Sequence, residues 1–493
     1  MSDWDPLLED LAVRRAAGAA MGGPERLARQ HEGGRLDARA RVDAFLDPGS
    51  FRELGVQAGS VGRGMTPVAP ADGLIAGHGS VDGRPVLVGA EDFTVMGGSI
   101  GIGTHAKRHR LAQLAEQERV PLVMLLEGAG ERTQNAFERY PHAPNDLQAL
   151  VRLRGVVPTV AVVMGASAGH GALTAPLMDF VVMVEGAALF SAGPPLVAAA
   201  TGEEVSKEEL GGAAIHTAIS GVAHNAVVDD GAALDLARRY LGFFPTAAGG
   251  TAPIRAADDG PRRLDEILDV VPADPRRPYD VRSVVELLAD DGDVLELQPA
   301  FGRSMVTALV RLDGIPVAVV ANNPSVKAGA IDRDGAEKAA RFLGTVGPFG
   351  LPVVFLADNP GVLAGTVAEQ SGILRFAAAM YVAQAAVRGP KLHVTLRKAY
   401  GFGSSLMAMN PFDGQTTTLA FPGARLGAMP AESGADAAGI EPDVKALLQH
   451  AELGGAYAAA DRLSYDDVID PRDLRDELRA ALALSRGRRA DGP

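Results

Sequence analysis

The sequence predicts an α/β protein made of two tandem lobes of one kind. Three observations carry this: short apolar runs alternating with longer helical patterns, an internal repeat at a nearly constant offset, and a breaker-rich stretch between the copies. The 493 residues leave room for two domains of more than about 200 residues each.

In chain order, the first 45 residues place Arg, Ala and Glu at helical spacing and close in Phe45-Leu46-Asp47-Pro48-Gly49. Val86-Leu87-Val88, Pro121 to Leu126 and Thr159 to Met164 are continuous apolar runs and read as buried strands. Thr104 to Glu118 reads as a helix between the first two. Strand and helix in alternation predict a sheet with both faces covered. Around residues 245–280 the texture changes: Thr246-Ala247-Ala248-Gly249-Gly250 and Pro272-Ala273-Asp274-Pro275-Arg276-Arg277-Pro278 are rich in breakers and charge. A connector belongs there, and the expected lobes are residues 1–262 and 263–493.

The repeat crosses that connector. Shifted by 231 or 232 residues, Val95 to Ser99 lies over Val326 to Ala330, and Pro121 to Leu125 over Pro352 to Leu356. Glu127 to Gly130 lies over Asp358 to Gly361, Pro158 over Pro390, and Ala168-Gly169-His170-Gly171 over Tyr400-Gly401-Phe402-Gly403. Five landmarks in order argue for duplication rather than coincidence.

Composition narrows the chemistry. A net charge of −14 disfavours nucleic acid and anionic membranes as main partners, while a local basic patch still suits a phosphorylated ligand. The absence of cysteine removes disulfides, thiolate catalysis and cysteine-ligated zinc. No run approaches the ~18 apolar residues that span a bilayer. The start, Met1-Ser2-Asp3-Trp4-Asp5, has no basic region followed by an apolar one, so a cytoplasmic protein is expected.

Each lobe ends strands in glycine-rich turns twice, near residues 128 and 169 and again near 359 and 401. Glycine lets backbone N–H groups face a ligand unobstructed, and two aimed at one oxygen form an oxyanion hole. Such a hole stabilises a thioester as it becomes an enolate. Any one of these turns alone reads as a tight strand-to-helix connection; four in symmetric positions point to chemistry. Gly165-Ala166-Ser167-Ala168-Gly169 also fits the nucleophile elbow of serine hydrolases, with Asp358 and His393 or His450 as partners. Against that, the matching Arg397-Lys398-Ala399-Tyr400-Gly401 has no serine. Gly97 to Gly103, ahead of a helix bearing Lys107, Arg108 and Arg110, suits phosphates at a helix N-terminus, or else the helix shows a solvated basic face. It lacks the Gly-Lys-Ser/Thr of a nucleotide P-loop. His105, His109 and His142 lack metal-ligand spacing, so no metal is assigned.

At Ser191 to Val197, Ala200 to Ser206, Glu209 to Ala213 and His216 to His224 the chain resembles the carboxyltransferase (beta) subunits of acyl-CoA carboxylases, of the propionyl-CoA and methylcrotonyl-CoA type. Asp92 to Ser99, Ile373-Leu374-Arg375, Arg397 to Gly403 and Asp467 to Arg472 extend the likeness to roughly residues 37–485. The resemblance implies two crotonase-like lobes, the first binding acyl-CoA and the second carboxybiotin, usually in a ring-shaped hexamer. Backbone N–H groups of Gly169, His170 and Gly171 would hold the thioester oxygen, and those of Gly401, Phe402 and Gly403 the biotin ureido oxygen. Gly97, Gly98, Lys107, Arg108, Gly128, Ala129, Gly130 and Ser405 would bind substrate, Ser405 helping to choose the acyl group. Carboxybiotin would release CO₂, the biotin enolate would take the proton, and the acyl enolate would capture CO₂ at its α (or vinylogous γ) carbon. His170 and Pro430 stand where relatives usually have glycine, and Gly128 to Arg132 replaces a more usual Ser-Gly-Gly-Ala turn. Neither a Met-Lys-Met biotinylation motif nor an ATP-binding loop is found, so biotin carrier and biotin carboxylase are expected on separate chains. An acyl-CoA decarboxylase on the same fold, the serine hydrolase and a purely organising subunit are the alternatives.

Overall fold

The computed structural model describes residues 2–59, 68–133, 144–256 and 260–487, arranged as two units, Met1–Gly242 and Phe243–Pro493. In the first, strands β1 (Arg52–Leu54), β2 (Leu74–Val81), β3 (Arg84–Glu91), β4 (Leu122–Leu126), β5 (Thr159–Val163), β7 (Phe180–Val184) and β9 (Asn225–Val227) form one sheet in the order β1-β2-β3-β4-β5-β7-β9. The first three pair antiparallel and the rest parallel. The short strands β6 (Ala166–Ala168) and β8 (Ala188–Phe190) pair beside it. Every residue of β4, β5 and β7 is buried, as continuous Val and Leu runs require when both sheet faces are covered.

The second unit repeats the plan. Strands β10 (Leu295–Leu297), β11 (Met305–Leu312), β12 (Ile315–Asn322), β13 (Val353–Asn359), β14 (Lys391–Tyr400), β15 (Thr417–Ala420) and β17 (Asp467–Val468) follow one another in that order across the sheet. The end of β14 also pairs with β16 (Arg425–Gly427), as β6 pairs with β8. Its core joins Val306, Val319, Val354, Leu392, Leu474 and Leu478.

The duplication reaches single residues. Both hairpins turn on Asp-Gly with positive φ at both residues, 50° and 74° at Asp82-Gly83, 55° and 74° at Asp313-Gly314. That is the two-residue turn whose twist matches the flanking strands. Isolated bridges Ile100↔Glu131 and Ile331↔Val362 also correspond. The predicted helix spans Ile102–Glu118, and the N-terminal helices span Asp5–Ala19, Pro24–Glu32 and Ala38–Phe45. Among the described residues no helix is long and apolar enough to cross a membrane.

Candidate active site

In the first unit three loops are stitched together by their main chains. Ala129 N–H donates to Gly97 O (2.9 Å), Ile100 N–H to Gly130 O (2.7 Å) and Ala168 N–H to Gly128 O (3.0 Å). The glycines make this approach possible: a Cβ on Gly98 would sit 2.4 Å from Glu127 O, and one on Gly130 2.7 Å from Ala168 O. The bundle presents the start of helix Gly169–Leu177, where Gly169 has φ +54° and no side chain caps the first turn. Uncapped first-turn N–H groups have no partner within their own helix and are free to receive an oxygen. Beside Gly169 opens an apolar cavity of about 360 Å³, bounded by Leu173, Pro176, Leu189, Phe190 and Val222.

Behind this loop lies a buried ionic network. Arg108 donates to Glu91 (3.0 Å) and Asp146 (2.7 Å) and bonds Thr174. Asp146 Oδ1 also meets His105 Nδ1 (3.1 Å) and His170 Nε2 (2.8 Å), and His105 Nε2 meets Glu131 (3.0 Å). Burial opposes ionisation of Asp146, but the two histidine hydrogen bonds and the Arg108 charge outweigh it and hold the carboxyl well below the usual range. Burial likewise opposes charge on His105, yet Asp146 and Glu131 raise its pKa. His105, Asp146 and His170 are the kind of trio that can ligate a metal. Here their atoms bond one another directly, and the Arg108 guanidinium holds the other Asp146 oxygen, so a further cation would meet an existing positive charge.

The second unit has the same loop, backed by amides beside a buried ion pair: Asp358 N–H donates to Asn322 Oδ1 (3.2 Å), and its carboxylate pairs with Arg397 (2.7 Å). Gly401 has φ +55° at the start of helix Gly401–Leu406, again without a side-chain cap. A Cβ on Gly403 would lie 2.6 Å from Asn359 Oδ1 and 2.9 Å from Gly361 Cα, so only glycine fits this cradle. Asn359 Nδ2 donates to Asn322 Oδ1 (2.9 Å) where the first unit has Glu91. A cavity of about 320 Å³ opens nearby between Leu426, Gly427, Met429 and Glu452, and Tyr400 bonds Glu452. Ser405 is half-buried in the same short helix.

Gly97, Gly98, Gly128, Ala129, Gly130, Gly169, His170 and Gly171 are thus one cluster, and Gly401, Phe402, Gly403 and Ser405 another. Lys107 and Arg108 depart from expectation. Neither forms a solvated face nor reaches outward to phosphate: Lys107 Nζ donates to Ala71 O (2.7 Å) and Leu74 O (2.6 Å), and Arg108 lies in the buried network. The N-terminus of their helix is also taken, because Thr104 N–H donates to Asp72 Oδ2 (2.7 Å). The serine-hydrolase reading fails on geometry. Ser167 is fully buried and its hydroxyl has no partner among the described residues. His393 is tied to Met407 O and Thr395, Asp358 is ion-paired with Arg397, and His450 lies on the separate helix Pro442–Leu453. His109 faces Asn145 O, and His142 lies outside the described residues. Glu91, Asp146 and Glu131 were missed, since a lone carboxylate carries no sequence signal.

The carboxyl transferase domain family matches residues 29–491. The chain is 37% identical to the methylmalonyl-CoA carboxyltransferase 12S subunit of Propionibacterium freudenreichii subsp. shermanii, over 100% of this chain and 96% of that one. It is 36% identical to the propionyl-CoA carboxylase carboxyltransferase subunit of Haloferax mediterranei, over 99% and 97% of the two chains. The solved transcarboxylase 12S structure, a hexamer assembly with methylmalonyl-coenzyme A and methylmalonic acid bound, superposes with a TM-score of 0.93 at 35% identity, covering 100% and 98%.

Proposed function

The chain belongs to the carboxyl transferase domain family, and on that premise we propose that it moves a carboxyl group to an acyl-CoA with the two loops dividing the reaction. Backbone N–H groups of Gly169, His170 and Gly171 receive the thioester oxygen as the α-carbon becomes an enolate. Losing one such donor raises the barrier by about 3–4 kcal/mol. Backbone N–H groups of Gly401, Phe402 and Gly403 receive the urea oxygen of biotin. Carboxybiotin, carried on a separate chain, supplies the carboxyl group. The Gly403 cradle, which a single Cβ would close, and the Asn322–Asn359 amide bond behind it support that assignment.

The carrying observation is the pair of uncapped glycine loops, 232 residues apart and with φ values one degree apart, each beside its own cavity. The acyl group is short, since the relatives named above act on propionyl- and methylmalonyl-CoA. A biotin carrier and a biotin carboxylase complete the system, presenting biotin at high effective concentration. The working form is a hexamer in the cytoplasm. The test is a panel of acyl-CoAs offered with a carboxylated biotin carrier. Carboxylation of propionyl-CoA is expected; release of CO₂ from methylmalonyl-CoA with no transfer to biotin would replace this reading with a decarboxylase.

A further inference from the structure

The side chain of His170 stands apart from the backbone chemistry assigned to its loop. Asp146 is a carboxylate and only accepts, so both nitrogens that meet its Oδ1, His105 Nδ1 and His170 Nε2, carry protons. His105 also faces the Glu131 carboxylate with Nε2 and is therefore protonated on both nitrogens. His170 has one nitrogen fixed as a donor, while its Nδ1 has no partner among the described residues and the ring is one-fifth exposed. A buried carboxylate orienting one imidazole nitrogen, with the other left open, is the arrangement of a general base. The His105 ring packs edge-on at 5.0 Å and fixes the ring from a second side. At the matching position of the second unit stands Phe402, half exposed and unable to take a proton.

We propose that His170 Nδ1 is a proton acceptor for the α-carbon of acyl-CoA, giving the protein a second activity: enolisation of acyl-CoA without biotin. This rests on acyl-CoA binding at the first loop. The α C–H bond breaks, its electron pair forms the C=C bond, and the carbonyl π pair moves to the oxygen held by the loop N–H groups. The proton goes to Nδ1, and the reverse step returns a solvent proton to carbon. No co-reactant is consumed. The charged groups facing the ring are Asp146 and His105, with Arg108, Glu131 and Glu91 behind them.

The test incubates the full chain with propionyl-CoA in D₂O without biotin and follows α-deuteration by mass spectrometry, beside a carboxyl-transfer assay with carboxylated carrier. Deuterium incorporation above the buffer rate is expected. It should fall at least tenfold in His170→Gln, which keeps an N–H for Asp146, with an unchanged melting temperature. A wild-type protein that transfers carboxyl groups without exchanging the α-proton overturns the proposal and leaves the transferase reading intact; failure of both overturns both. Exchange in His170→Gln as fast as in wild type also overturns it. If that variant does not fold, the pH profile of wild-type exchange decides. A rise through a single ionisation supports the base, and a flat profile rejects it.

Discussion

Lys107 and Lys338 stand 231 residues apart, and each buried ammonium is held by main-chain carbonyls, Ala71 and Leu74 for the first, Gln298, Phe301 and Met305 for the second. Burial pushes the Lys107 pKa down to about 8. Lys107→Met strands two carbonyls and is expected to cost about 2 kcal/mol of stability, read from the denaturant midpoint. The KM for acyl-CoA should stay unchanged, whereas a phosphate-binding lysine would raise it. This role was not legible in the sequence, where a lysine on a basic helix looks solvated; only the repeat offset pairs it with Lys338. His105 sets a pH dependence of known sign. Its pKa is raised, so its stabilising contribution is complete below the ordinary imidazole value of about 6.5 and is lost as pH rises through the higher folded value. Between about pH 6 and pH 9, the wild-type denaturant midpoint should fall more than that of His105→Gln. Asp146 works oppositely: its contribution is lost only as pH falls below the ordinary carboxylate value of about 4.

At the scale of elements, the two Asp-Gly hairpins share a backbone but not surroundings. Gly83 and Gly314 both have φ +74°, yet a Cβ on Gly83 meets nothing within 4 Å while one on Gly314 lies 1.9 Å from Arg255 O. Gly83→Ala should cost about 1 kcal/mol, the left-handed strain alone. Gly314→Ala should lower the melting temperature distinctly further, because backbone must also move. The long strands were legible, since buried parallel strands need unbroken Val and Leu runs. The short β6, β8 and β16 were not, for three residues carry no period. The helix Ala38–Phe45 was legible as a helix but not as an anchor: its Arg41 is fully buried, and it ion-pairs with Glu127 (2.5 Å) and Asp230 (2.9 Å), both distant in sequence. Arg41→Met leaves the buried Asp230 without its cation and Glu127 with Arg35 alone, and a loss of about 3–5 kcal/mol is expected in chemical denaturation.

Across the whole molecule, one lobe plan is used twice, and the proposed reaction gives each copy a different half. The duplicated backbone keeps the glycine conformation at residues 169 and 401, while the residues behind it diverge: Glu91 against Asn322, His170 against Phe402. Both units keep a buried carboxylate paired with arginine, Glu127 with Arg41 and Asp358 with Arg397, so the divergence is confined to the residues that touch the loop. The scaffold was legible because duplication leaves ordered landmarks; the difference in backing was not, because it depends on contacts between residues far apart in sequence. The direct test of the paired-loop account is the initial rate of carboxyl transfer from carboxylated carrier to propionyl-CoA, compared for wild type, Gly169→Val and Gly401→Val. Both variants misplace N–H donors and should lose about 100-fold or more while still folded. A folded variant of either kind that keeps the wild-type rate would contradict the account.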